Sequence, residues 1–155
     1  MLLWEKLIAI RIMELIERDY ILCECPLKHL VDFVAKLEDQ YEITVSKAPE
    51  ICLTMVKAED SVEGQAFFLG EALTTTCEVV IGKESGLGIV LEDQPERAYC
   101  IAVLDTLSKL KDRNWPEIDA FLNAEKAQIM KAETEAHTKI MQSAVDFKLM
   151  DDAHP

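Results

Sequence analysis

Two spacings of apolar residues alternate along this chain, and each change of spacing marks a new element. Trp4, Leu7, Ile8, Ile12, Leu15 and Ile16 recur every three to four residues, so residues 2–18 predict a helix. Leu3, Ala9, Ile10 and Met13 widen its stripe, which suits either a deeply buried helix or one with a second apolar face for a partner. Pro26 opens a second helix, where proline is tolerated, with Leu27, Leu30, Val31, Val34 and Leu37 on its buried face. The period then falls to two. Tyr41, Ile43 and Val45 alternate with Glu42, Thr44 and Ser46 as a strand. Lys47-Ala48-Pro49-Glu50 predicts a turn, and Ile51 to Lys57 a returning strand. Ala58 to Gly64 is an acidic loop without period.

The densest pattern runs from Gly64 to Leu91. Phe67, Phe68 and Leu69 form an apolar run and Gly70 lets the backbone turn. Leu73, Thr75, Cys77, Val79 and Ile81 then alternate with Thr74, Thr76, Glu78 and Val80. Gly82 to Gly86 reads as a turn and Leu87 to Leu91 as a second strand, together an antiparallel hairpin. Asp93 or Gln94 can cap a helix with Pro95 in its first turn, and Asp93 with Glu96 has capping-box spacing. This helix reaches about Leu110 and buries Ala98, Ile101, Ala102, Leu104 and Leu107. Residues 112–116 break it. From Glu117 to about Met141 there is no Gly or Pro, and Ile118, Leu122, Ile129, Ala136 and Ile140 recur at helical spacing. Such a helix reaches on the order of 35 Å, more than a domain this small needs.

The expected fold is therefore α+β. An antiparallel sheet of about four to five strands, in two hairpins (Tyr41 to Lys57 and Ala66 to Leu91), is flanked by N-terminal and C-terminal helices. The expected organisation is one domain, 1–155, with the helix at about 116–143 projecting towards a partner.

Composition narrows the function. The chain has 155 residues, of which 50% are hydrophobic and 29% charged, so it can bury a sizeable core. No stretch of about 18 uncharged apolar residues suggests a membrane span. Glu5, Lys6, Arg11 and Glu14 interrupt the apolar N-terminus, and no small-residue cleavage site follows, so a cytoplasmic protein is expected. A net charge of −13 argues against nucleic acid. The arginines are Arg11, Arg18, Arg97 and Arg113, and the absence of any between Asp19 and Glu96 leaves that stretch without the usual phosphate forks. An odd cysteine count (Cys23, Cys25, Cys52, Cys77 and Cys100) reads as reduced thiols packed as small hydrophobes.

Candidate chemistry is sparse. Gly82-Lys83 is no phosphate loop, because Cys77 stands where a glycine is needed and Glu84 where Ser or Thr is needed. Gly86-Leu87-Gly88 precedes a strand rather than a helix, and its small residues permit close backbone packing or a bulge. Cys23-Glu24-Cys25 with His29 makes three metal-type ligands where structural zinc needs four, so no metal is expected. His137 lies among Glu133, Glu135 and Lys139 on a solvated helix face. Glu71 is a candidate general acid or base, or else a carboxylate bonding backbone N–H groups of a turn. Asp105 could act likewise, pair with a partner's arginine, or face water.

The run FFLGEALTTTCEVVIG, then GLGIVL, then ERAYCIAVLDTL resembles the PhnG family of the bacterial carbon–phosphorus lyase core complex. That family carries F-x-L-G-E-x-x-V-T-R-C, a strand, G-x-G-x-x-V and a helix ending A-x-x-D-A-L, and SAVDFKLM at Ser143 to Met150 echoes a later motif. The matching positions are Phe68, Gly70, Glu71, Thr75, Cys77, Gly86, Asp105, Asp146 and Phe147. The resemblance implies a subunit without a catalytic motif of its own, working with PhnH, PhnI and PhnJ. The complex displaces adenine from ATP and joins an organic phosphonate to ribose C1, giving a ribose 1-phosphonate 5-triphosphate. ATP and phosphonate are then substrates of the complex, and no cofactor belongs to this chain. Nucleosidase-like chemistry falls to PhnI, and radical cleavage of the carbon–phosphorus bond to PhnJ.

The chain departs from the family pattern where T-R-C becomes Thr75-Thr76-Cys77 and where a glycine-arginine pair becomes Glu92-Asp93. It departs again where S-R-V-D-F becomes Ser143-Ala144-Val145-Asp146-Phe147. The lost arginines leave an alternative open: a self-associating scaffold or binding protein that kept the fold and lost the pathway, a homo-oligomer when alone.

Overall fold

The computed structural model describes residues 15–111 and 113–143. Helix α1 is seen over 15–24; the rest of the predicted first helix, and Asp146 and Phe147, lie outside the described residues. The order continues α2 (Leu27–Glu38), β1 (Ile43–Glu59), β2 (Ala66–Ile81), β3 (Glu84–Leu91), α3 (Pro95–Leu110) and α4 (Trp115–Gln142). The strands form one antiparallel sheet in the order β1-β2-β3. The fold is α+β as expected, with three strands rather than four or five.

The missing strands were absorbed by length. Tyr41 to Lys57 is not a hairpin: both halves pair with β2, from Ile43 opposite Ile81 to Leu53 opposite Leu73 and on to Glu59 opposite Ala66. The residues expected to turn, Lys47 to Glu50, are bulges, with register shifts between Val45 and Lys47 and between Lys47 and Glu50. A bulge takes up extra residues without ending the strand. Pro49 fits there because β1 is an edge strand and no second neighbour needs its N–H. Gly70 likewise does not turn the chain; Leu69 is the extra residue of a bulge opposite Val56 and Lys57.

The real turn between β1 and β2 is the acidic segment. The Asp60 carboxylate accepts the N–H groups of Val62 (3.2 Å) and Glu63 (3.1 Å), and Gly64, at φ 66°, donates to Asp60 O. The β2–β3 turn is shorter than expected: only Gly82 and Lys83 separate the paired Ile81 and Glu84. Gly82 at φ 64° takes the first central position, where a two-residue hairpin favours glycine.

Helix α3 lies across the sheet and is the centre of the core. A side chain at Gly86 would stand 2.1 Å from Thr106 Oγ1, and one at Gly88 would stand 1.9 Å from Ala98 O. Ala98, Ala102 and Thr106, four apart, form the stripe that rests on these glycines. The close backbone packing read from the sequence is therefore realised. All five residues predicted to be buried on α3 are buried, and so are Arg97, Cys100, Val103 and Thr106. Of the two expected capping residues, Gln94 holds the N-cap position, and it makes no side-chain cap bond, so the Asp93–Glu96 capping box does not form. Instead the Gln94 N–H donates to Thr75 Oγ1 at 3.1 Å, which ties the helix start to β2.

Leu22 of α1, Leu30, Val34 and Leu37 of α2, and Ile118 and Leu122 of α4 complete the core. Phe33 stacks on Phe121 at 4.1 Å, joining α2 to α4. Helix α4 buries Ile118, Leu122 and Glu125, but every residue from Met130 to Ser143 is exposed, Ala136 and Ile140 included.

Candidate functional site

Asp105 is committed within the chain. Its Oδ1 accepts Arg18 Nη2 at 3.0 Å; its Oδ2 takes Lys109 Nζ at 2.9 Å and the Leu87 backbone N–H at 3.1 Å. Arg18 also bonds Ser108 Oγ at 2.6 Å. The carboxylate, 14% exposed, thus locks α1, α3 and the edge of β3 together. Of the roles considered for it, neither a partner's arginine nor open water describes its surroundings. Beside it, between α1, α3 and β3, lies a cavity of about 400 Å³ walled by Leu15, Leu87, Ile89 and Ile101.

Glu71 stands elsewhere. It is exposed on β2 opposite Met55, and it follows a bulge rather than a turn. Leu87, which Asp105 bonds, is level with Glu78, seven residues further along β2. At strand rise this is roughly 24 Å, so Glu71 and Asp105 do not form an acid–base pair.

The motif residues Thr75 and Cys77 are structural in placement. Thr75 is buried; its hydroxyl donates to Glu92 O at 2.6 Å and accepts the Gln94 N–H. Glu92 holds φ 67°, a left-handed conformation, where the family pattern carries glycine. Cys77 is buried with its thiol on Lys47 O, and burial pushes its pKa up. Burial drives Cys100 furthest, to about 12, and raises Cys23 and Cys25 as well. Cys52 is the exception. Hydrogen bonds between its thiol and the hydroxyls around it, Thr74 first at 3.2 Å, lower its pKa below the ordinary value.

Sequence reasoning missed two buried polar devices. Arg97 donates through Nη1 to Leu22 O (2.7 Å) and Cys25 O (3.0 Å), closing the C-terminal carbonyls of α1. An arginine directly before the apolar run Ala98 to Leu104 was the available signal. His29 Nδ1 meets Glu125 Oε1 at 3.0 Å across α2 and α4, while Glu125 Oε2 is buried without a partner. His29 is thus not gathered with Cys23 and Cys25. Among the described residues no group of three His, Cys, Asp or Glu side chains stands close enough to hold a metal ion. None of the described helices is long and apolar enough to cross a membrane.

The most unusual surface is the free end of the β1–β2 hairpin. β3 stops where Leu91 meets Thr74, but β1 and β2 stay paired to Glu59 and Ala66, roughly 27 Å beyond. This two-stranded arm exposes Leu53, Met55, Val56, Phe67, Phe68, Leu69 and Leu73, and Ile51 is exposed at its base. A bare hairpin is marginal in water, and an apolar surface of this extent marks an interaction site.

The apolar arm is a surface of the kind that other proteins cover. The family model described as Phosphonate metabolism protein PhnG matches residues 17–151 of the 155, and the chain belongs to the PhnG family. No curated protein matches the chain.

Proposed function

We propose that this chain is a non-catalytic or accessory subunit of the carbon–phosphorus lyase core. In that role it is needed, with PhnH-, PhnI- and PhnJ-type partners, for joining organic phosphonate to the ribose of ATP. The observation that carries the reading is the apolar arm, which supports a subunit held by other chains, taken together with membership of the PhnG family. The arginines support it too. Arg18 and Arg97 are consumed inside the fold and leave Arg113 as the exposed arginine among the described residues, so a partner is expected to bring most of the positive charge for a triphosphate. Phe68 and Glu71 lie on the arm, where they face such a partner. Thr75, Cys77, Gly86 and Asp105 hold the fold that presents it. Co-expression with neighbouring genes followed by affinity purification tests this. Co-purification with a nucleosidase-like PhnI partner is expected, and its absence removes the reading.

The acidic Glu92-Asp93 pair, standing where the family pattern has glycine-arginine, favours the second reading, a scaffold that has left the pathway. Deleting the gene separates the two. Loss of growth on methylphosphonate as sole phosphorus source supports the subunit. Intact growth, in cells where the other core genes remain essential, supports the scaffold.

A further inference from the structure

Helix α4 is seated far more shallowly than α3. Nine of the 16 residues of α3 are buried, against three of the 28 of α4: Ile118, Leu122 and Glu125. Ile118 and Leu122 join the core, and Phe121 between them stacks on Phe33 of α2. Glu125, the next residue on that face, ends the seat with a carboxylate. It is 4% exposed; its Oε1 meets His29 Nδ1 at 3.0 Å, and its Oε2 has no partner among the described residues. A buried carboxylate oxygen without a donor forfeits its hydration and gains no bond in return. Its one clasp is itself half in water, the His29 side chain being 46% exposed.

Other ties of α4 lie at its base or in water. Asn114 Nδ2 donates to Gln40 Oε1 and to the Tyr41 hydroxyl, both at 2.8 Å, which fixes the start of the helix. Lys126 pairs with Glu17, and the Tyr20 hydroxyl donates to Glu133. These last two ties are solvated, and solvated polar pairs hold weakly.

We propose that α4 is a strap that opens: it leaves α1 and α2 as a unit, from its far end towards its base at Asn114, while α3 and the sheet stay folded. Glu125 sets how often it opens. With the strap closed this carboxylate is dehydrated, and with the strap open it returns to water. Its burial therefore weighs against closure, and His29 offsets only part of that cost. Local opening of this kind draws on the elements with the fewest buried contacts. It uncovers Ile118, Phe121, Leu122 and, on α2, Phe33, and it re-aims the exposed half of the helix, Met130 to Ser143. The inference rests on the seat of α4 alone, and its failure leaves the pathway reading intact.

Native-state hydrogen exchange of the full chain, read by mass spectrometry at one fixed pH, tests this. A helix off its seat frays, so its amides exchange. Peptides from residues 115–129 are expected to exchange together, and ahead of those from α3. The two members of the pair are expected to act in opposite directions. His29→Ala lowers the protection of 115–129, because the buried carboxylate loses its clasp. Glu125→Leu raises it, by roughly tenfold, because an apolar side chain suits the seat and His29 can turn to water. An ordinary stabilising ion pair would instead lose protection in both variants. Equal protection of α4 and α3 in the unmodified chain overturns the proposal, as does unchanged or higher protection in His29→Ala, or unchanged or lower protection in Glu125→Leu. Should Glu125→Leu lose the native circular dichroism spectrum, Glu125→Gln, which keeps the shape without the charge, decides: higher protection supports the strap, and unchanged or lower protection overturns it.

Discussion

Glu92 holds its left-handed backbone because both of its peptide groups are used: its N–H donates to Leu73 O and its C=O accepts Thr75 Oγ1. An L-residue in that conformation is strained by roughly 1–2 kcal/mol, which glycine does not suffer. Glu92→Gly is expected to stabilise the fold by about 1 kcal/mol, less glycine's extra freedom in the unfolded chain. Urea denaturation measures this, and a lower midpoint would show that the Glu92 side chain contributes more than its backbone costs. Cys52 is the second informative residue. Hydrogen bonds with the hydroxyls around it, that with Thr74 first, lower its pKa while burial raises those of Cys23, Cys25, Cys77 and Cys100. A lowered value means more thiolate at a given pH. Near pH 8, iodoacetamide is expected to label Cys52 first, and Thr74→Val is expected to slow that labelling. Peptide mapping reads both outcomes. Alternation alone places Cys52 on a strand, but the three surrounding hydroxyls come partly from β2, so its reactivity was not legible locally.

At the scale of elements, the tightest junction is α3 on β3. A methyl at Gly88 would meet the Ala98 carbonyl at 1.9 Å, which no rotamer relieves because the obstacle is backbone. Gly88→Ala is expected to cost at least about 3 kcal/mol, at or above the usual range for overpacking. The thermal midpoint should fall sharply. Gly82→Ala meets no atom and strains only one turn, so it should cost less. Helix α3 was legible in detail because its apolar period is local and both of its faces are covered. Strand β1 was not, because Lys47-Ala48-Pro49-Glu50 suits a turn and a bulge equally well as a local sequence. What decides between them is whether a second long strand runs alongside, and β2 does.

For the molecule as a whole, the distribution of positive charge matters more than its sum. Of the described arginines, Arg18 and Arg97 are tied to Asp105, Leu22 and Cys25 while Arg113 is exposed, and the segment from Ala58 to Leu91 holds Lys83 as its one cation against six acids. Calorimetric titration of the isolated chain with ATP is expected to show no binding at about 0.15 M salt, where screening weakens distant charges but not those inside a site. A low-micromolar dissociation constant, roughly −8 kcal/mol, would mean that the chain carries a phosphate site of its own.

Several features follow from the order of residues alone, because they depend on the direction of each Cβ along a regular backbone. These are the helical stripes of α2 and α3 and the alternation of the β2–β3 hairpin; the room for close backbone packing or a bulge at Gly86 and Gly88, the poverty of phosphate-binding groups and the PhnG pattern from Tyr41 to Leu110 are read from residue identity instead. The tertiary structure alone decided that β1 runs unbroken, that Asp105 is closed by Arg18 and Lys109, that Arg97 caps α1, and that His29 meets Glu125. Each of these depends on a partner distant in sequence, or on whether a neighbouring strand is present. A residue's own spacing does not carry that information; the packing of α1, α3 and the sheet around a shared core does.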